Sequence, residues 1–63
     1  MANNSKALGR MLKQRRLMVS LTLREMQAMT GIASSQLCRV ERGDVFPSSL
    51  ILRKYREINQ MAN

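Results

Sequence analysis

The stretch Leu21-Thr22-Leu23-Arg24-Glu25-Met26 contains two independent signals for the start of a helix. Thr22 and Glu25 have the spacing of a capping box, in which each side chain accepts a hydrogen bond from the backbone N–H of the other residue. Leu21 and Met26 stand at the N′ and N4 positions of a hydrophobic staple. Because the two signals agree, we predict a helix that begins immediately after Thr22.

Helical patterns continue on both sides of this start. Upstream, apolar residues at i, i+3 and i+4 from Leu8 predict a helix over about residues 6–18. Downstream, Gly31 should end the second helix, because glycine readily adopts the left-handed conformation that closes helices. A third helix over about residues 33–42 follows at once, and Gly43 should end it.

A fourth helix follows the third, with either Pro47 at its first position or Ser48 as its N-cap. No segment alternates with period two, so we predict an all-α fold in one domain, residues 1–63, with residues 1–5 and 60–63 frayed. Phe46 should cover the edge of the core. The expected core residues are Leu8, Leu12, Leu21, Met26, Ile32, Leu37, Val40, Leu52, Tyr55 and Ile58.

Composition limits what this chain can do. Eleven Lys and Arg against four Asp and Glu give a net charge of +7, which favours a polyanionic partner. The chain has no His and one Cys, Cys38, so it lacks an imidazole base and cannot form an intrachain disulfide or a thiolate metal cluster. We therefore predict a protein that is not an enzyme, with no catalytic residue, no metal and no cofactor. Apolar runs no longer than three residues predict no membrane association and a cytoplasmic location.

The third helix has an outward face suited to nucleic acid. Winding it at about 100° per residue puts Leu37 and Val40 on the buried side. Arginine can bond bidentately to guanine in the DNA major groove, although a merely solvated helix face could have the same composition. Two short helices joined by a few residues that include glycine, the spacing of a helix-turn-helix, favour DNA binding. The outward side chains are Ser35, Arg39 and Arg42, flanked by Gln36 and Cys38.

Apolar, glycine, charged and proline positions follow a specific order along the chain: Leu8-Gly9-x-x-Leu12-x-x-x-Arg16, then Leu21-Thr22-x-x-Glu25-Met26-x-x-x-x-Gly31-Ile32-x-x-x-x-Leu37-x-Arg39-Val40-Glu41-Arg42-Gly43, then Pro47-Ser48. In this pattern the chain resembles the Cro/lambda-repressor-like helix-turn-helix family, the XRE family. The resemblance covers residues 8 to about 58. It implies a compact four-helix lambda-repressor-like domain, or a truncated five-helix one, with its helix-turn-helix at about 22–42.

The resemblance also implies a function. It indicates the sequence-specific double-stranded-DNA-binding domain of a bacterial or phage-type transcription regulator, with a recognition helix at about 34–42 in the major groove. Arg16 and Glu41 match a structural salt bridge between the first and third helices. The positions that match base contacts are Ser34, Ser35, Gln36 and Arg39. The candidate phosphate contacts are Thr22 and Leu23, at a helix N-terminus that favours anions, with Arg10, Lys13 and Arg42.

Four residues depart from the family pattern: Ser20 replaces a usual glycine, Gln27 a usual alanine, Thr30 an aliphatic residue, and Ala33 the usual Ser or Thr N-cap. A missing N-cap costs about 1 kcal/mol unless Ser34 takes its place. The family usually continues into a further helix that is often used for dimerisation. We therefore expect the chain to be a fragment, with a possible homodimer formed through a C-terminal region that it lacks.

Two other functions are compatible with part of this evidence. Helix-turn-helix folds also serve as protein-interaction modules of the antitoxin or adaptor type, with only non-specific affinity for nucleic acid. A basic peptide that lies on a membrane surface is the second alternative. The capping box, the turns and the interior glycines argue against it, because such peptides are usually one long amphipathic helix.

Overall fold

Four α-helices make up the part of the chain that the computed structural model describes, residues 4–61. This part contains no β-strand, so the predicted all-α class is confirmed. None of its helices is long and apolar enough to cross a membrane. The helices are α1 (Asn4–Met18), α2 (Leu23–Thr30), α3 (Ser34–Arg42) and α4 (Ser49–Met61).

Both ends of the described part of the chain lie in helices. Residues 4–5 belong to α1 and residues 60–61 to α4, and the fraying expected of these residues stays a prediction. The Ser5 hydroxyl donates to the Gly43 carbonyl oxygen at 3.0 Å, which ties the start of α1 to the end of α3. The predicted fraying of residues 1–3 and 62–63 lies outside the described residues.

Side-chain caps fix the starts of α2 and α4. The predicted capping box is present: the Thr22 hydroxyl accepts from the Glu25 N–H at 3.0 Å, and the Glu25 carboxylate accepts from the Thr22 N–H at 2.8 Å. The Ser48 hydroxyl accepts from the Ile51 N–H at 3.3 Å. Ser48 is therefore the N-cap of α4, and the alternative with Pro47 as the first helical residue is wrong.

Three residues with positive φ close the ends of helices. Gly31 follows α2 with φ of 79°, and Gly43 follows α3 with φ of 83°, as the sequence predicts. After α1, Ser20 is the residue with positive φ, at 60°. The N–H of the next residue, Leu21, donates to the Arg16 carbonyl oxygen at 3.2 Å. A side chain makes this conformation costly, so the chain is strained at Ser20.

The core lies where all four helices meet, and most of its members are as predicted. Leu8, Leu21 and Ile32 are only partly buried and pack against it. The buried apolar side chains are Leu12, Met26, Leu37, Val40, Ile51, Tyr55 and Ile58.

Two of the predicted core positions are wrong. Leu52 is 36% exposed, because α4 is rotated so that Ile51, Tyr55 and Ile58, at i, i+4 and i+7, face inward. Phe46 is 65% exposed and does not cover the core edge. It precedes a proline, and such residues favour extended backbone, in which successive side chains point to opposite sides.

A glycine lets α1 and α3 pack closely. A Cβ atom added to Gly9 would lie 2.7 Å from the Glu41 carbonyl oxygen and also clash with that of Val40. Both obstacles are backbone atoms of α3, which cannot move aside as a flexible side chain can. Gly9 therefore sets the distance between α1 and α3, and with it the position of the candidate recognition helix.

Candidate nucleic-acid interface

Three of the four side chains predicted to contact bases lie together on α3. Ser35, Gln36 and Arg39 are exposed and line an open groove of about 390 Å³, whose floor includes Val40. The exposed ring of Phe46 lines the same groove from the loop after α3. Among the described residues, no acidic side chain lines this groove. The groove therefore offers hydrogen-bond donors, a guanidinium and an apolar ring side by side.

Ser34, the fourth predicted base contact, is placed differently. It is partly buried and does not line the groove. Its backbone N–H donates to Gln27 Oε1 of α2 at 2.8 Å. Ala33, the N-cap of α3, makes no side-chain cap bond. Gln27 therefore satisfies the first N–H of α3 from outside the helix, although this is not the N2 or N3 N–H that an N-cap side chain bonds.

Thr30 fills a similar role at the other end of the same turn. Its hydroxyl donates to the Met26 carbonyl oxygen at 2.7 Å and accepts from the Ile32 N–H at 3.1 Å. An aliphatic side chain could make neither bond. Gln27 thus hydrogen-bonds the first residue of α3, and Thr30 hydrogen-bonds the short segment between α2 and α3.

The basic side chains of α1 form a stripe. Arg10 and Lys13 are exposed and three residues apart, so they lie on one helix face. Lys6, which the sequence analysis did not select, is exposed one turn before Arg10 on the same face. Its i−4 spacing from Arg10 is the signal that could have identified it. We call Lys6, Arg10 and Lys13 the α1 basic stripe.

The N-terminus of α2 has fewer free donors than predicted. The Thr22 N–H is already bonded to the Glu25 carboxylate, which also adds negative charge next to any incoming phosphate. The N–H groups of Leu23 and Arg24 stand in the first turn, where no helical carbonyl can reach them. Leu23 is therefore the better placed of the two predicted phosphate contacts at this helix start.

Arg42 is the predicted phosphate contact with the strongest competing interaction. Its Nη2 atom donates to Asp44 Oδ2 at 2.7 Å, and the two side chains are 67% and 39% exposed. A phosphate would have to displace or share this carboxylate. Arg42 is thus a weaker candidate than Arg10 and Arg39, the other predicted DNA-contacting arginines, which form no ion pair among the described residues.

Arg16 and Glu41, the residues expected to bridge α1 and α3, form a buried bidentate ion pair. Arg16 Nε lies 2.8 Å from Glu41 Oε2, and Nη2 lies 2.9 Å from Oε1. The third guanidinium nitrogen, Nη1, donates to the Leu21 carbonyl oxygen at 2.7 Å. The Tyr55 hydroxyl of α4 donates to Glu41 Oε2 at 2.6 Å. This network joins three helices and the turn after α1, and it leaves Arg16 too buried to contact DNA.

The network also shifts two proton equilibria. The hydrogen bonds that Arg16 donates to Glu41 raise the pKa of Arg16 above its ordinary value, although burial acts in the opposite direction. Burial raises the pKa of the Tyr55 phenol well above its ordinary value, and the hydrogen bond to Glu41 raises it further. Both groups therefore stay protonated in the folded protein at neutral pH.

Each of the four acidic side chains pairs with a residue that does not line the α3 groove. Glu25 belongs to the capping box, Glu41 to the buried network, and Asp44 to its ion pair with Arg42. Glu57 lies 3.9 Å from Arg53 and 3.8 Å from Lys54 on α4. None of the ion pairs among the described residues therefore involves the α1 basic stripe or Arg39.

The sequence analysis missed the structural roles of two residues at this interface. Phe46 contributes a ring to the α3 groove, and its position before a proline is the signal that could have placed it outside the core. Gln27 caps a helix seven residues away, for which no local pattern exists. Cys38 is half-buried and does not line the groove, and no group of the described residues has enough ligands for a metal ion.

The resemblance to the XRE family stays a prediction, because comparison of the chain with protein-family models, curated proteins and solved structures finds no match.

Proposed function

We propose that this chain is the DNA-binding domain of a bacterial or phage-type transcription regulator, in which α2 and α3 act as a helix-turn-helix. The outward face of α3 carries this proposal. The side chains of Ser35, Gln36 and Arg39 are exposed, whereas Leu37 and Val40 of the same helix are buried in the core. An α-helix with its side chains is about 10–12 Å wide, which matches the major groove of about 12 Å.

The three side chains suit different parts of the DNA. Arg39 can donate two hydrogen bonds to O6 and N7 of a guanine, and Gln36 can bond N6 and N7 of an adenine. Ser35, in the first turn of α3, is short enough to let the helix approach a phosphate or a base edge. Arg39 is therefore the residue we expect to determine most of the base preference.

The α1 basic stripe would supply contacts to the phosphates. Each phosphate that a cation neutralises contributes about −0.9 to the slope of log affinity against log salt. Arg10 and Lys13 should each contribute to this slope, and the Leu23 N–H can bind a phosphate without a net charge. Arg42 should contribute less, because Asp44 already holds its guanidinium.

Selection from a randomised duplex library tests the proposal. The enriched sequence and a scrambled duplex are then compared at two salt concentrations. We expect an affinity ratio above about a thousand, which is typical of specific regulators. A two-fold symmetric motif would indicate that the protein binds as a dimer. No enrichment, with binding lost as salt rises, would contradict the proposal and favour a protein-interaction module.

Single substitutions assign the roles. Arg39→Ala should cost about 1–3 kcal/mol on the selected site and relax the base preference at one position. Lys13→Ala should weaken all sequences equally and reduce the salt slope by about 1. Arg53→Ala is the control, since it removes the same charge from an exposed position on α4. If Arg39→Ala changed affinity no more than Arg53→Ala did, α3 would not be the recognition helix.

A further inference from the structure

A second groove lies between α1 and α4, away from α3. It has a volume of about 380 Å³, and its walls include Met11 and Arg15 of α1 and Leu52 and Arg56 of α4. Met11 is 45% exposed and Leu52 36% exposed, although both are large apolar side chains. The groove therefore has an apolar centre that the described part of the chain leaves open.

This groove and the α1 basic stripe lie on different faces of α1. At about 100° per residue, Met11 and Arg15 point roughly 150° away from the mean direction of Lys6, Arg10 and Lys13. The buried side of the helix, which includes Leu12, separates them on one side. A ligand in the groove would therefore leave the proposed DNA-binding face open, and the following inference does not depend on DNA binding.

Charge determines what kind of partner fits the groove. Arg15 and Arg56 flank the apolar centre, and no acidic side chain of the described residues lines it. A second copy of this chain would bring its own +7 charge against these two guanidiniums. A segment with apolar residues on one stripe and carboxylates beside them would match both the centre and the rim.

We propose that the groove between α1 and α4 binds an acidic amphipathic helix of a partner protein. Such helices place apolar side chains spaced at i, i+3, i+4 and i+7 into a groove formed by two helices. Met11 and Leu52 would contact these anchors, since methionine adapts to partners of different shape. Arg15 and Arg56 would pair with glutamates on the two sides of the stripe.

A designed peptide and methionine NMR signals test the proposal. The probe is a 14-residue helical peptide with leucines at helical spacing and glutamates on both flanks. Its control has the same leucines with glutamine in place of every glutamate. With ¹³C-methyl methionine in the protein, the Met11 signal should shift and saturate with the glutamate peptide. Met29, equally exposed at 44% but on α2, should not shift. The glutamine peptide should bind at least tenfold more weakly.

Variants separate the groove from the overall charge. The double variant Arg15→Gln and Arg56→Gln should weaken the glutamate peptide about tenfold, and Leu52→Gln should also weaken it. The double variant Arg53→Gln and Lys54→Gln is the matched control, because it removes two charges that do not line the groove. It should change affinity less than twofold. Circular dichroism melts verify that each variant is folded.

Several results would overturn the proposal. Equal shifts of Met29 and Met11, equal binding of the two peptides, or equal losses in the two double variants would each show attraction by charge alone. A Met11 signal that moves with protein concentration without peptide would show a second copy in the groove. Vesicles of anionic lipid that shift Met11 when the peptide does not would show a membrane surface as the ligand.

Discussion

Replacing Glu41 by alanine should strongly destabilise this protein. The cause is the buried charge that loses its partner, and not the small volume that is lost. Glu41 accepts two hydrogen bonds from Arg16 and one from the Tyr55 hydroxyl, all in the buried region. Glu41→Ala removes the only carboxylate in this network and leaves the guanidinium charge buried without a counterion. The variant therefore tests whether α3 is held in place mainly by this ion pair.

The expected magnitude follows from burial. The side chains of Arg16 and Glu41 are 8% and 4% exposed, so solvent screens their interaction little. Removing one partner of a buried ion pair costs about 3–5 kcal/mol. A 63-residue domain has a stability of only about 3–9 kcal/mol at typical values per residue. We therefore expect the melting temperature of Glu41→Ala to fall by at least about 12 °C, with a large unfolded fraction at 37 °C.

Thermal and urea melts of four proteins measure the effect: wild type, Glu41→Ala, Arg16→Met and the double variant. Since the double variant leaves no unpaired charge, it should be less destabilised than the sum of the single variants by more than about 1 kcal/mol. Glu57→Ala is the control, because its ion pairs on α4 are exposed and should contribute less than about 1 kcal/mol. If Glu41→Ala melted like Glu57→Ala, or the single effects simply added, the reasoning would be refuted.

Three further predictions concern the strained turn, the shared cap and the buried phenol. Ser20→Gly should raise stability by about 0.5–1 kcal/mol, because it relieves a left-handed residue at some cost in chain entropy; a melting temperature equal to that of wild type would contradict this. Gln27→Ala should cost about 1 kcal/mol in urea melts by leaving the Ser34 N–H without its acceptor, whereas Met29→Ala on the same helix should cost less. The raised pKa of Tyr55 means that the folded state holds its proton more tightly, so stability should be complete below pH 10 and fall as pH rises further. As this is the only tyrosine, absorbance at 295 nm should change together with the helical circular dichroism; ionisation without unfolding would count against it.

The helix boundaries were predictable because their signals are local. The capping box of Thr22 and Glu25 joins groups three residues apart, and each of Gly31 and Gly43 acts at its own position. None of these features depends on how distant parts of the chain pack. The sequence analysis noted only that Ser20 replaces a glycine of the resembled family, and the positive φ was found in the structure.

The errors arose where tertiary contacts decide between neighbouring residues. Ile51 and Leu52 fit a helical period equally well, and only the packing of α4 onto the rest of the chain determines which of them is buried. Phe46 looks like a core residue by composition, but its ring is exposed, and the extended backbone favoured before a proline is consistent with that. In both cases the exposed side chain borders a groove to which we assign binding, so the two errors coincide with the two candidate binding surfaces.

The cap that Gln27 provides to α3 also bears on how this protein would contact DNA. A helix N-terminus attracts phosphate through its free N–H groups, but the Ser34 N–H already donates to Gln27 Oε1. The start of α3 therefore has one fewer donor for an anion than a helix with all of its first N–H groups free. In the proposed complex, more of the binding would then come from the side chains of Gln36 and Arg39, which we expect to contact bases. If Gln27 remains bonded to α3 in that complex, its cap shifts the proposed recognition from the backbone towards base-specific contacts.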